Sequence, residues 1–337
     1  MVRLKRKRTF KQTLLVILSG MLLIFLNEGL CFAGFTNNIL LTGYWPPTGG
    51  IDSMLKPFSK DPSLNQDGWI GGNWENSGYD VYAYFPTFPG GTDINPKGNG
   101  DFEVDYQDTL NDFSRITADL NPIAIMSYGN GAGKWEIEYN ARNLSSWYND
   151  YVSPKQPTPS PPDDSVASGY VRHSTLPVED IADAINAAGL PTIGTSGAWV
   201  DSNGNPGGFL CEYMAYLCMW YQDIHSADDD PYRCFAAGFT HVAGNVSVAD
   251  ATAASQIALR ETIAYLDSLT PVPIPGTTVL LGSALLGFLG ASRRKLRDAG
   301  FHRLLTFRKR SVNRPGSEAE STVTFLQITH PSLIISK

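Results

Sequence analysis

Cys211 has the surroundings that most suggest chemistry. It follows Gly207 and Gly208, a flexible turn, near the start of the apolar stretch Phe209 to Tyr221, whose spacing predicts a helix. A helix start presents unpaired N–H groups and the positive end of the helix dipole, and both stabilise a thiolate. Cys211 is therefore a candidate nucleophile, although a lone cysteine is equally suited to a core as a small hydrophobe. His241 lies at the end of the apolar run Ala236 to Thr240, which reads as a buried strand. Sites in open α/β sheets assemble at strand ends, where an imidazole can meet a thiol at a helix start. The other reading is a satisfied core histidine. Glu138 belongs to WEIEYN (135–140), where alternation puts Glu136 and Glu138 on one face; taken alone, such an acid would be assigned to solvent. Spacing does not by itself join these three residues.

Other chemistries find no footing. His173, His225 and His241 are far apart and show no HxxxH or CxxC spacing, so no metal and no cofactor is expected. Gly129, Gly131 and Gly133 follow a strand but lack the helix-opening pattern of a phosphate loop. Apart from Cys31 the chain holds three cysteines, Cys211, Cys218 and Cys234. In an oxidising compartment the last two would pair across a 16-residue loop and leave Cys211 free, or both would be buried and reduced.

These residues need a scaffold, and the pattern supplies one. Asn38 to Gly43 reads as a short buried strand, followed by an irregular excursion over 45–78. Asp105 to Leu120 is amphipathic, with Leu110, Phe113 and Ile116 at helical spacing, and Pro122 to Met126 is a second buried strand. Residues 153–168 form a Pro-rich loop. Pro177 to Ala188 is a helix stopped by Gly189, with Pro191 to Gly194 as the next strand. Cys234 to Val242 is a strand, and Ala249 to Leu269 the closing helix. Strands alternating with helices predict a single α/β domain with a twisted, mostly parallel central sheet flanked by helices on both faces.

Composition agrees with a folded body between two unusual ends. At 42% hydrophobic and 18% charged residues, the 337-residue chain can bury a core, which excludes a disordered or fibrous protein. Residues 1–33 and 293–337 hold 16 of the 26 Lys/Arg and four of the 33 Asp/Glu, leaving 34–292 with ten bases against 29 acids. A body that acidic repels phosphate backbones, so no nucleic acid partner is expected. Six bases precede the apolar run Leu14 to Leu26, and Cys31-Phe32-Ala33 offers small residues at a cleavage site. Residues 1–33 thus read as an export signal cut after Ala33, or as an uncleaved anchor. The stretch VPIPGTTVLLGSALLGFLGASRRK (272–295) is a short apolar span closed by bases, as in a membrane-directed segment. It resembles the PEP-CTERM type of bacterial sorting signal, a transient anchor cut by a membrane sorting protease; a permanent anchor is the alternative. The boundaries expected are 1–33 signal, 34–270 folded domain, 271–295 sorting segment and 296–337 basic tail. Localisation follows as periplasm or cell surface, with the membrane met through the C-terminal segment before processing.

Five ordered blocks resemble the pyroglutamyl peptidase I family, the pyrrolidone-carboxylate cysteine peptidases. ILLTGYWPPTGG (39–50) is similar to that family's opening strand and TGFxPFGG turn, and EYNARNL (138–144) to its ERxAxNx block. STLPV (174–178) matches a helix start, while GFLC (208–211) and GFTHV (238–242) are similar to the nucleophile turn and the GFxHV strand. The resemblance spans 38–268. It implies a Cys-His-Glu triad at Cys211, His241 and Glu138, an oxyanion site at the backbone of Gly208 and Cys211, and a lactam pocket touched by Tyr44 and Pro47. The implied substrate is a peptide with an N-terminal pyroglutamyl or related residue. Tyr148 and Glu212 depart from the pattern, standing where the family carries an arginine and an asparagine, and Glu212 puts a carboxylate beside the thiol unless it points away. A catalytically impaired member serving as a surface or matrix binding protein is the rival function.

Overall fold

A computed structural model describes residues 36–43 and 54–269. The expected export signal, sorting segment and basic tail, together with Tyr44 and Pro47, lie outside the described residues. No described helix is long and apolar enough to cross a membrane.

The described chain runs β1 (Asn38–Gly43), β2 (Asp80–Tyr84), the two-residue strands β3 (Pro86–Thr87) and β4 (Asn99–Gly100), α1 (Tyr106–Leu120) and β5 (Ala124–Gly131). It continues through β6 (Trp135–Glu138), β7 (Asn140–Arg142), β8 (Val171–His173), α2 (Val178–Ala188), β9 (Ala198–Asp201), α3 (Leu210–Ile224), β10 (Ala236–Ala243) and α4 (Val248–Leu269). Six strands form one sheet in the order β2-β1-β5-β10-β6-β9. Every pairing is parallel except β10 with β6. The fold is therefore a single α/β domain with a mostly parallel central sheet, as the alternation of elements requires.

The central strands are apolar on both sides because both faces are covered. Ile39, Leu41, Met126 and Val242 pack with α2 and α4 in one core cluster. Leu40, Ile125, Ala237 and Phe239 pack with α1 and α3 in the other. Helix α1 starts where Asp105 accepts hydrogen bonds from the N–H groups of Gln107 and Asp108, and α2 ends at Gly189, whose φ of 60° suits a residue without Cβ.

Two assignments need correction. Pro191 to Gly194 is a turn, since the N–H groups of Ile193 and Gly194 both return to the carbonyl of Leu190. The edge strand comes later, as β9, and its Trp199 is 43% exposed, so no buried apolar run announces it. Strand β2, inside a stretch left without an element, alternates buried Val81 and Ala83 with half-exposed tyrosines, as an edge strand does.

Candidate active site

Sheet register assembles the site. In β10, alternation sends Phe239 and His241 to the α3 face. Across the antiparallel ladder Phe239 lies opposite Glu138 and His241 opposite Glu136, so all four side chains share that face. On the other side of β10, His241 lies opposite Gly129 of β5. The diagonal from His241 to Glu138 becomes a hydrogen bond of 2.7 Å between Nδ1 and Oε1, with the glutamate 1% exposed. Phe239 meets the His241 ring edge to face at 5.0 Å and further limits its freedom.

The third member arrives from above the sheet. Cys211 is the second residue of α3, whose first turn has no side-chain cap, so N–H groups there are available to an anion. Its Sγ reaches down to Gly129, where a Cβ would stand 2.8 Å from the sulfur, and hydrogen-bonds to His241. Gly131 performs the same service for the imidazole, since a Cβ there would lie 2.4 Å from His241 Cβ. The glycines that the sequence showed only as an incomplete phosphate-loop pattern are the floor of this site, and nothing in their spacing distinguishes a floor from a loop. Gly208 lies just before the helix; its carbonyl accepts from the N–H of Tyr148 at 2.8 Å, which ties the turn before α3 to the segment after β7.

Burial and hydrogen bonding act against each other on the imidazole. Desolvation pulls the His241 pKa down, but the bonds to Cys211 and Glu138 outweigh it and raise it to about 10. Burial pushes Glu138 up and the His241 bond pulls it back, with a net upward shift. The arrangement favours an imidazolium next to the sulfur at neutral pH.

Glu212 points away from the thiol. It is fully buried, and Oε1 accepts the backbone N–H of Arg142. Burial raises its pKa to about 8, so at neutral pH the side chain is uncharged and the expected carboxylate beside the thiol is not formed. Cys218 and Cys234 are both free, which overturns the disulfide and favours the other reading: each is 0% exposed in the core between α3 and β10, and the Cys234 thiol donates to the Ala236 carbonyl at 3.6 Å. Burial pushes both thiols up, so they are poor nucleophiles. Glu136, Glu138 and His241 bring possible ligand atoms within 4.8 Å of one another, but the closest pair is already engaged in its own hydrogen bond.

The fold and site together define an α/β protein with a thiol, an imidazole and a buried carboxylate in series. No family model matches the chain, and neither does any curated relative. Among solved structures it is similar to the pyrrolidone carboxyl peptidase of Thermococcus litoralis, at 18% identity over 71% of this chain and 99% of that one, with a TM-score of 0.46. It is also similar to pyroglutamyl peptidase I of Bacillus amyloliquefaciens, at 19% identity over 67% and 97% and a TM-score of 0.45. The pyrrolidone carboxyl peptidase of Pyrococcus furiosus follows at 15% identity over 68% and 99%, again with a TM-score of 0.45.

Proposed function

We propose that this protein is a cysteine peptidase that hydrolyses the amide after an N-terminal pyroglutamyl or related residue. The observation that carries the reading is the chain of contacts from Cys211 to His241 to Glu138. Glu138 holds Nδ1, which leaves Nε2 for the thiol. His241 takes the Cys211 proton and the thiolate attacks the scissile carbonyl carbon. N–H groups at the start of α3, beside Gly208, receive the oxyanion. The C–N bond breaks as the imidazolium returns its proton to the leaving amine, and a thioester remains. Once the sulfur is acylated, one of the two partners that raise the His241 pKa is gone. The neutral imidazole can then activate the water that cleaves the thioester and restores the thiol.

Tyr44 and Pro47 would contribute to the lactam pocket, in keeping with the resemblance of their segment. The same reading puts the protein outside the cytoplasm, first held by its C-terminal segment and then released by a sorting protease, with a mature N-terminus at Gly34 and a C-terminus near Pro275. Mass spectrometry of the protein from its native envelope checks both ends, and recovery of peptides containing Lys5 and Arg294 would contradict it. The activity is tested with a fluorogenic pyroglutamyl amide. The wild type should turn it over and Cys211→Ala should not; undiminished turnover by Cys211→Ala would sink the peptidase reading.

A further inference from the structure

The residue after the nucleophile is a buried acid that the mechanism does not use. Glu212 is 0% exposed, and its carboxyl receives a backbone donor from a distant part of the chain. The donor is the N–H of Arg142 in β7, four residues beyond Glu138, while Glu212 itself lies in the first turn of α3 beside Cys211. Glu212 therefore ties the segment carrying the acid of the triad to the segment carrying its thiol. Its second oxygen, Oε2, is buried with no partner, and among the described residues no ion pair reaches it. A carboxylate there would be desolvated and only half satisfied, whereas a neutral carboxyl needs far less compensation.

We propose that Glu212 is a positioning residue that holds the nucleophile turn against β7 in its neutral form, and that loss of its proton disables the centre. The groups that bear on it are few. Glu138 from β6 repels a charge at Glu212, and Arg142 from β7 attracts one too weakly to offset burial. Cys211 precedes it on α3. Burial places the Glu212 proton loss at about pH 8, two units below that of His241. Loss of the Glu212 proton should therefore change Cys211 reactivity at a lower pH than the titration of His241 does. A neutral amide in the same place would keep the acceptor contact with Arg142 and lose the titration.

The test needs no knowledge of the substrate, so it stands apart from the peptidase reading. The rate of Cys211 alkylation by iodoacetamide is measured from pH 5 to 11, with the labelled peptide identified by mass spectrometry. The wild type should show an inflection near pH 8. In Glu212→Gln it should disappear, leaving a single transition near pH 10, and Glu212→Asn should behave in the same way if the longer amide fails to fold. Glu212→Asp should keep an inflection. In the wild type itself, the infrared band of one buried protonated carboxyl should vanish near pH 8. An inflection near pH 8 that survives in both amide variants, or a wild-type profile flat from pH 7 to 9, would overturn the proposal.

Discussion

Helix α3 carries two buried polar clusters about one turn apart, and they are built to opposite rules. Around Tyr216, every buried charge is answered. Arg172 donates to Asp163 at 2.7 Å, to the Tyr216 hydroxyl at 3.1 Å and to Asp223, while Tyr216 donates to Asp163 at 3.0 Å. This cluster fastens the Pro-rich loop, through Asp163, to β8 and α3. At the start of the same helix, Glu138 and Glu212 each leave one buried carboxyl oxygen without a partner, and His241 is held charged against its burial. Burial pushes Asp163 up, but hydrogen bonds from Ser165, Arg172 and Tyr216 outweigh it and hold it below the usual carboxylate range; Glu138 and Glu212 are shifted upward. One cluster spends its charges on stability, whereas the other keeps groups poised to change protonation, which is what acid–base chemistry requires.

That contrast predicts a separation. His241→Ala should lower the alkylation rate of Cys211 by about 10²–10⁴-fold, the range for removal of an acid–base group. It should also lower stability at neutral pH, because the buried Glu138 loses its hydrogen-bond partner. Arg172→Met should cost about 3–5 kcal/mol in denaturant unfolding, because Asp163 is left buried and unpaired, yet folded molecules should alkylate at the wild-type rate. Folded Arg172→Met molecules that alkylated at Cys211 as slowly as the His241 variant would collapse the distinction between the clusters.

The pH dependence of stability gives a smaller but sharper contrast, because the signs differ. Asp163 is depressed in the fold, so its contribution is present above pH 3.8 and is lost as the pH falls through its folded value. Glu212 is raised, so the folded state holds a proton that the unfolded chain releases near pH 4.5, and stability falls as the pH climbs from 4.5 to about 8. His241 adds stability that is complete below pH 6.5 and lost as the pH rises through about 10. Unfolding free energies from pH 3 to 10 should therefore fall on both sides of a mildly acidic optimum. Asp163→Asn should flatten the acid limb and Glu212→Gln the segment between pH 4.5 and 8.

Much of this scaffold is legible in the sequence. Asn38 to Gly43, the helix after Asp105 and the apolar helix behind Cys211 follow from continuous burial, a capping acid and periodicity. The site is only half legible. Cys211 and His241 sit where a helix start and a strand end can be read, but Glu138 looks like a solvent acid until the antiparallel register of β6 on β10 buries it. Register is a tertiary choice, and parallel and antiparallel placements of a four-residue strand share one sequence pattern. For the same reason Gly129 and Gly131 could not be seen as space for a thiol and an imidazole, and Glu212 could not be seen to turn from the thiol toward Arg142.

The central claim, that one of the three thiols among the described residues is chemically live because of where α3 meets the sheet, is tested most directly by alkylating the folded protein with iodoacetamide near neutral pH. Cys211 should be modified much faster than Cys218 and Cys234, which should react only after unfolding. Equal rates at the three cysteines, or a Cys211 as inert as the two core thiols, would contradict the account.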